Sequence, residues 1–465
     1  MKTRSFINLA ILSLVVLSLL FTSDLAAQIG AAEPLTNDQI IAKVDEYMSA
    51  ALRVDGFSGT ILVARDGKPV VSKGYGMANI ELDVPNAPDN VFRLGSVTKQ
   101  FTGMSIAMLQ ERGKLNVSDP MCKYIPDCPD AWKPITINHL LRHTSGVTNY
   151  TAFPDFAKTT VLPTTTAEMV DRLKKTPLDF APGAKMSYSN SGYYLLGVII
   201  EKVSGKTYAD FVQENIFTPL GMKQTYYDDP LKIIMHRAAG YQKQAGNIIN
   251  AAYTDMSVPY AAGSLCSTTG DLLIWDTALY TEKLVSKKSL NEIFTPEKGD
   301  SGYGYGWGIG KKLGHKSISH GGGIYGFATD ISRYPDDKVT VIVLSNIQSA
   351  PSGQISSDLA AIVFGAAYEI PKERKFISLD EKTLERYVGE YQIGPNMVIA
   401  ITLEDGKLMG QLGGQSKFSL LPESETELYS KDVNAQFAFA KDDKGKITGF
   451  TLKQGDRNTA AKKIK

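Results

Sequence analysis

A serine and a lysine stand three residues apart in Phe92-Arg93-Leu94-Gly95-Ser96-Val97-Thr98-Lys99-Gln100-Phe101. Beyond them apolar residues recur at Val97, Phe101, Met104 and Met108, with Ile106, Ala107 and Leu109 widening the face. That spacing predicts a helix that stops near Gly113. Positions three apart share one helix face, so Ser96 falls at a helix N-terminus with the Lys99 amine beside its hydroxyl. A serine hydroxyl becomes a competent nucleophile when a neighbouring base takes its proton. A helix N-terminus adds free N–H groups and a positive dipole end, which suit a developing oxyanion. Taken alone, the pair also fits an N-cap serine followed by a solvated lysine.

Two further stretches carry side chains that suit the same chemistry. Tyr188-Ser189-Asn190 immediately precedes an apolar, helix-spaced run. A tyrosine beside Lys99 is expected to have its pKa lowered by the cation and to act as a general base. Asn190 can hold the lysine amine or a substrate carbonyl. His320-Gly321-Gly322-Gly323 lies at the end of a predicted strand. Its glycines allow a peptide-like substrate to approach and pair with the strand edge, with His320 adding a hydrogen bond. By themselves these stretches also read as a capped turn and a glycine loop.

The elements that must position these residues alternate in type. Residues 36–52 have helical periodicity, opened by a Thr36/Gln39 capping box. Residues 58–64 and 69–74 read as a hairpin around Asp66-Gly67, and a third strand ends near Phe92. From 115 to 269 the pattern is mainly helical and proline-punctuated, with helices over 136–142, 191–203 and 269–279. His139 and His143 stand four apart there, but no glutamate follows His139 and no third ligand is evident, so both read as structural. Residues 302–310 alternate glycine with large side chains and read as one strand with close backbone approach on one face. Strands over 317–320, 328–334 and 339–345 and a helix over 357–368 close the unit. After a linker at 370–378, seven short strands between 391 and 453 predict a small antiparallel barrel from 379 to 465.

Composition narrows the function classes. The chain has 465 residues, 43% hydrophobic and 21% charged, with a net charge of +1. That is ample for a core and gives no electrostatic case for nucleic acid. Lys2 and Arg4 precede an apolar run over 6–21, followed by Ala26-Ala27 and Ala31-Ala32. Residues 1–32 read as a secretory signal peptide cut after Ala27 or Ala32, which predicts a periplasmic or secreted protein with no membrane segment after cleavage. Of the three cysteines, Cys122 and Cys128 either bridge in an oxidising compartment or remain separate, partly buried thiols, and Cys266 reads as buried. No cysteine–histidine spacing suggests zinc, and neither the Gly-x-Ser-x-Gly elbow nor a Walker loop is present.

Taken in order, Ser96-x-x-Lys99, Tyr188-Ser189-Asn190 and His320-Gly321-Gly322 resemble the serine β-lactamase and penicillin-binding superfamily. The tyrosine of the second motif is similar to the class C β-lactamase and D-alanyl-D-alanine carboxypeptidase branch. Residues 136–146, Phe180-Ala181-Pro182-Gly183 and Leu220-Gly221-Met222 support the resemblance, which covers 36–368. It implies Ser96 as acylated nucleophile, Lys99 and Tyr188 sharing the proton transfers, and Asn190 orienting Lys99 and substrate. It places the oxyanion on the N–H groups of Ser96 and Gly323. His320 stands where β-lactamases of this branch usually carry lysine, which shifts the expectation towards peptidase or esterase relatives. Tyr387-Val388-Gly389-Glu390-Tyr391 and the strands after it look like the lipocalin-like domain often appended to such hydrolases.

The fold expected is therefore α+β, an α/β sandwich whose antiparallel sheet is flanked by helices and a mainly helical lobe over 33–369, followed by the barrel. The activity expected is hydrolysis of a small ester, amide or D-amino-acid peptide through an acyl-enzyme on Ser96, with no metal or organic cofactor. True β-lactamase turnover, or penicillin recognition without turnover, are the alternatives.

Overall fold

The computed structural model describes residues 35–465 except 245, 298, 300, 301, 395, 396, 414–416, 455 and 456. The expected leader, 1–32, lies outside the described residues. The chain opens with α1 (Asn37–Asp55), capped by the reciprocal Thr36 and Gln39 bonds that the sequence predicts. A hairpin follows, β1 (Gly59–Arg65) and β2 (Lys68–Tyr75). The Ser96 segment leads into α2 (Thr98–Glu111), and the helical lobe contributes α3 (Asn190–Ser204) and α4 (Thr269–Ala278). Five strands come next: β3 (Gly302–Tyr303), β4 (Gly308–Lys312), β5 (His315–Ile324), β6 (Phe327–Tyr334) and β7 (Val339–Ser345). Helix α5 (Ser352–Phe364) completes the unit.

These strands make one antiparallel sheet in the order β3-β4-β5-β6-β7-β1-β2. The hairpin formed first in sequence thus docks beside the strand formed last, which ties the two ends of the unit together. Period-two alternation sorts the central side chains. Ile61, Val63, Val341 and Val343 face α1 and α5, with Ile40, Val44, Tyr47 and Leu359. Leu62, Ala64, Ile342 and Leu344 face α2 and the helical lobe, with Phe101, Tyr193, Leu196 and Trp275. Both faces of β1, β6 and β7 are covered, which explains their nearly unbroken burial.

Three expectations are corrected. Residues 302–310 are not one strand but a hairpin, β3 and β4, because the chain turns between Gly304 and Trp307, where Gly304 N donates to Trp307 O (2.8 Å). The strand ending near Phe92 is only Phe92–Arg93, and it belongs to a separate three-stranded sheet with Leu265–Ser267 and Tyr226–Tyr227. The last helix of the unit begins at Ser352, five residues earlier than its apolar run suggests. The open question of the cysteines resolves to a Cys122–Cys128 disulfide, and Cys266 is buried as a free thiol.

The C-terminal strands close into an eight-stranded barrel. The eighth, Arg457–Lys463, carries no hydrophobic alternation that would mark it in sequence. It pairs with Gly389–Gly394 to shut the barrel. Tyr391, Phe437, Phe439 and Phe450 fill the interior, with ring centroids 5.0–5.9 Å apart in contacting pairs.

Candidate active site

Ser96 is brought to the sheet by hydrogen bonds on both sides of the segment that precedes it. Phe92–Arg93 pairs with Leu265–Ser267, and Leu94 N donates to Leu265 O (2.8 Å). From the other side, Thr329 Oγ1 on β6 donates to Leu94 O (2.8 Å). Gly95 then turns with φ +53°, where a side chain is strained, and a Cβ there would lie 3.0 Å from the main-chain atoms of Gly323. Two glycines therefore let the backbone beside Ser96 touch β5. Ser96 itself sits in a 3-10 turn, Gly95–Val97, that runs into α2. Just upstream, Arg93 Nε meets the fully buried Asp228 (2.7 Å), which Arg237 also pairs with.

Lys99 is completely buried. Its Nζ lies 3.0 Å from Ser96 Oγ, 2.8 Å from Asn190 Oδ1 and 2.9 Å from Ala262 O. Burial pushes its pKa well below the ordinary lysine value. A neutral amine matches its surroundings. Two N–H groups of a neutral amine would serve the two carbonyl oxygens, and its lone pair would face the Ser96 hydroxyl. The orientation of Asn190 is fixed in turn, since its N and Nδ2 both donate to Asn149 Oδ1 (3.2 and 3.4 Å). A second contact explains the glycine alternation after residue 302. Gly306, at φ +83°, packs so closely on α2 that a Cβ would collide with Lys99 O.

Tyr188 projects from the segment before α3. Its ring centroid is 4.9 Å from Lys99 Nζ, and its hydroxyl hydrogen-bonds with Ser96. The expectation that Lys99 lowers its pKa is overturned. Burial of the hydroxyl end raises the phenol above its ordinary range, with the Ser96 bond opposing only in part. Burial also disfavours the cation on Lys99 that was to lower it. Tyr188 is therefore protonated at neutral pH.

His320 lies within β5 rather than at the end of a strand, and the glycine run continues that strand to Ile324. β4 pairs with β5 only from His315 to Ser319, so among the described residues 320–324 have a ladder partner on the β6 side alone. The other edge is open towards Ser96. His320 Nδ1 donates to Gly321 O (2.6 Å), so Nε2 accepts from the Tyr303 hydroxyl (2.7 Å). Burial pushes its pKa down to about 3, and any positive charge on Lys99 acts in the same direction. Ser96, Lys99, Tyr188, Asn190, His320 and Gly323, distant in sequence, thus converge. The face of Gly322 packs on Leu94 O, and Gly321 takes the His320 bond.

The sequence did not disclose Ala262 O, Gly95, Asn149, Tyr303 or the closeness of His143 to Tyr188. A carbonyl carries no sequence signal. The positive φ of Gly95 does carry one, since glycine is the residue type that adopts a left-handed turn without strain. His139 behaves as expected: its Nδ1 accepts from Thr136 N (3.3 Å) in a helix cap. Among the described residues no cluster of three or more His, Cys, Asp or Glu is placed to hold a metal, and no helix is long and apolar enough to cross a membrane.

Comparison with known proteins agrees with this geometry. Residues 42–363 match the family model described as Beta-lactamase, and 373–463 match a domain of unknown function, DUF3471. The chain is 32% identical over 411 residues to Penicillin-binding protein 4* of Bacillus subtilis, spanning 82% of this chain and 90% of that protein. It is 28% identical over 316 residues to teichoic acid D-alanine hydrolase of Staphylococcus aureus, spanning 67% and 75%. The octameric penicillin-binding protein homologue from Pyrococcus abyssi superposes with a TM-score of 0.64 at 27% identity, over 91% of this chain and 100% of that one. With both the family match and the similarity to a penicillin-binding protein running through the residues that surround Ser96, the chain belongs to the β-lactamase family of penicillin-binding-type serine hydrolases.

Proposed function

We propose that the protein hydrolyses a small ester, amide or D-amino-acid peptide bond through an acyl-enzyme on Ser96. The observation that carries this reading is the fully buried Lys99 amine 3.0 Å from Ser96 Oγ, where burial pushes its pKa well down and so favours the neutral base. Lys99 takes the hydroxyl proton as Oγ attacks the substrate carbonyl. The N–H groups of Ser96 and Gly323 hold the oxyanion, and the Gly95–Gly323 contact sets their spacing. Tyr188, hydrogen-bonded to Ser96 and protonated, delivers a proton to the leaving group and recovers it from Lys99. Water then releases the acyl group by the same transfers in reverse.

The substrate lies along the open edge of 320–324, adding main-chain hydrogen bonds as an extra strand. His320 is neutral near neutral pH, so the site offers a substrate carboxylate no ammonium of the kind that lysine at position 320 would supply. This favours an uncharged ester or amide over a β-lactam carboxylate. The D-alanine hydrolase named among the relatives supports a D-configured acyl group. The leader read at 1–32 and the Cys122–Cys128 disulfide support a periplasmic or secreted site of action. The working division is a hydrolase unit over 33–369, a linker at 370–378 and a barrel over 379–465.

The test is intact-mass analysis after a fluorophosphonate probe, beside Ser96→Ala, followed by turnover of p-nitrophenyl butyrate, a D-alanyl-D-alanine peptide and a chromogenic cephalosporin. One adduct that disappears in the variant, with ester or peptide turnover above cephalosporin turnover, is expected. No adduct and no turnover would overturn the reading. A stable β-lactam adduct without turnover would replace it with a recognition role.

A further inference from the structure

We propose that His143 is a positioning residue that holds Tyr188 in its proton-donating pose. The inference rests on the acyl-enzyme reading above and adds a residue that the reading does not use.

His143 follows the short helix Ile137–Leu141 and adopts φ +58°, a left-handed conformation that costs a residue with a side chain. It does so while 1% exposed, where a free choice of residue would favour glycine or asparagine. The strained turn has a visible product. His143 O accepts from Ser187 N (2.8 Å), and His143 Nδ1 accepts from Ser189 N (3.2 Å). One residue therefore grips the amides on both sides of Tyr188. Its ring also backs the tyrosine, with centroids 4.3 Å apart and planes at 38°.

The imidazole continues into the rest of the site. It lies 4.5 Å from the Tyr303 ring, and the Tyr303 hydroxyl bonds His320 Nε2 (2.7 Å). Because Nδ1 accepts an amide proton, the single proton of the neutral ring sits on Nε2. Nε2 is buried and has no hydrogen-bond partner among the described residues. A histidine retained only to fill space would not leave a donor unsatisfied where an apolar ring would fit. Strain at φ and a sacrificed donor are together accepted at a position that grips both flanks of Tyr188.

If Tyr188 donates a proton to the leaving group, its displacement penalises leaving groups that need that proton and largely spares those that do not. The experiment compares kcat/KM for a D-amino-acid amide and for p-nitrophenyl butyrate, whose phenolate departs unaided. The variants are His143→Gly, which keeps the left-handed backbone and removes the ring, His143→Asn, which keeps an acceptor for Ser189 N, and Tyr188→Phe as benchmark. Thermal melts establish that each variant is folded.

In His143→Gly the amide-to-ester ratio is expected to fall about thirtyfold, part of the ~10²–10⁴-fold worth of a placed general acid. His143→Asn should recover a substantial share of that loss. Addition of His143→Gly to Tyr188→Phe should lower the ratio no further. An equal fall on both substrates in His143→Gly, while Tyr188→Phe shows the selective loss, overturns the positioning role and leaves the mechanism standing. Absence of the selective loss in Tyr188→Phe itself overturns the assignment of Tyr188 and the proposal with it.

Discussion

Replacing Gly95 by alanine perturbs two things that can be separated. The first is backbone strain. At φ +53° an alanine costs about 1–2 kcal/mol. The second is the approach to β5. A Cβ at Gly95 would stand 3.0 Å from N, C and O of Gly323, and relief to an ordinary 3.4 Å contact needs a shift of about 0.4 Å between nucleophile and strand. The neighbours are backbone, so no flexible side chain can absorb the shift. A misplacement of about 1 Å costs roughly a hundredfold in rate, and losing one oxyanion donor costs about 10²–10³-fold. A shift of this size is therefore expected to lower kcat about ten- to a hundredfold. Gly113→Ala is the matched control, because Gly113 has φ +66° but, among the described residues, no atom within 4 Å of an added Cβ. Both variants should lose similar stability in denaturant melts, and only Gly95→Ala should lose kcat on p-nitrophenyl butyrate. If Gly95→Ala keeps kcat within about twofold of Gly113→Ala, the contact between Gly95 and Gly323 does not set the oxyanion geometry, against the ~10-fold or greater loss reasoned here.

Three other outcomes follow from buried charge. Because Lys99 must be neutral to act as base, kcat/KM should rise with pH through its depressed pKa and stay level past about pH 10, where an ordinary tyrosine ionises, since burial raises Tyr188; a fall near that pH in a pH–rate profile would contradict the protonated role of Tyr188. His320 has a folded pKa of about 3 against 6.5 in the unfolded chain, so acid protonates the unfolded state first. Stability should be complete above pH 6.5 and fall progressively towards pH 3, with His143 acting in the same sense, as calorimetry can follow. Asp228→Ala should destabilise by about 3–5 kcal/mol in urea titrations, because it strands Arg93 and Arg237 beside the strand that leads to Ser96; a loss under about 1 kcal/mol would show that water replaces the carboxylate.

Much of the architecture is legible because it is local. The Thr36/Gln39 box, the hairpin at Asp66-Gly67 and the apolar periodicities of α2, α3 and α4 each declare an element within about a dozen residues. Ser96, Lys99, Tyr188, Asn190 and His320 are legible as a set because their order and types resemble a family. What escapes is set by contacts between distant segments. Residues 302–310 look like a strand because glycine alternates with aromatic residues, but the glycines serve a turn packed on α2, where Gly306 meets Lys99 O. The eighth barrel strand is polar and takes its conformation from its neighbours. The Tyr188 pKa goes the other way because burial, invisible in sequence, acts on both Lys99 and Tyr188.

The open edge of β5 has a consequence beyond catalysis. An unpaired run of main-chain groups is a template for any extended chain, including another copy of the same protein, and most sheets cover or twist such edges away. Here five residues, about 17 Å, must stay accessible. The three glycines give an incoming strand no side-chain packing, and strand association draws much of its strength from such packing. A stray polypeptide gains hydrogen bonds alone, whereas under the proposed mechanism a substrate would also gain capture at Ser96. Resistance to sticking thus comes from side chains that are missing, and any substitution that fills Gly321 or Gly323 with a β-branched residue would exchange substrate access for a surface prone to aggregation.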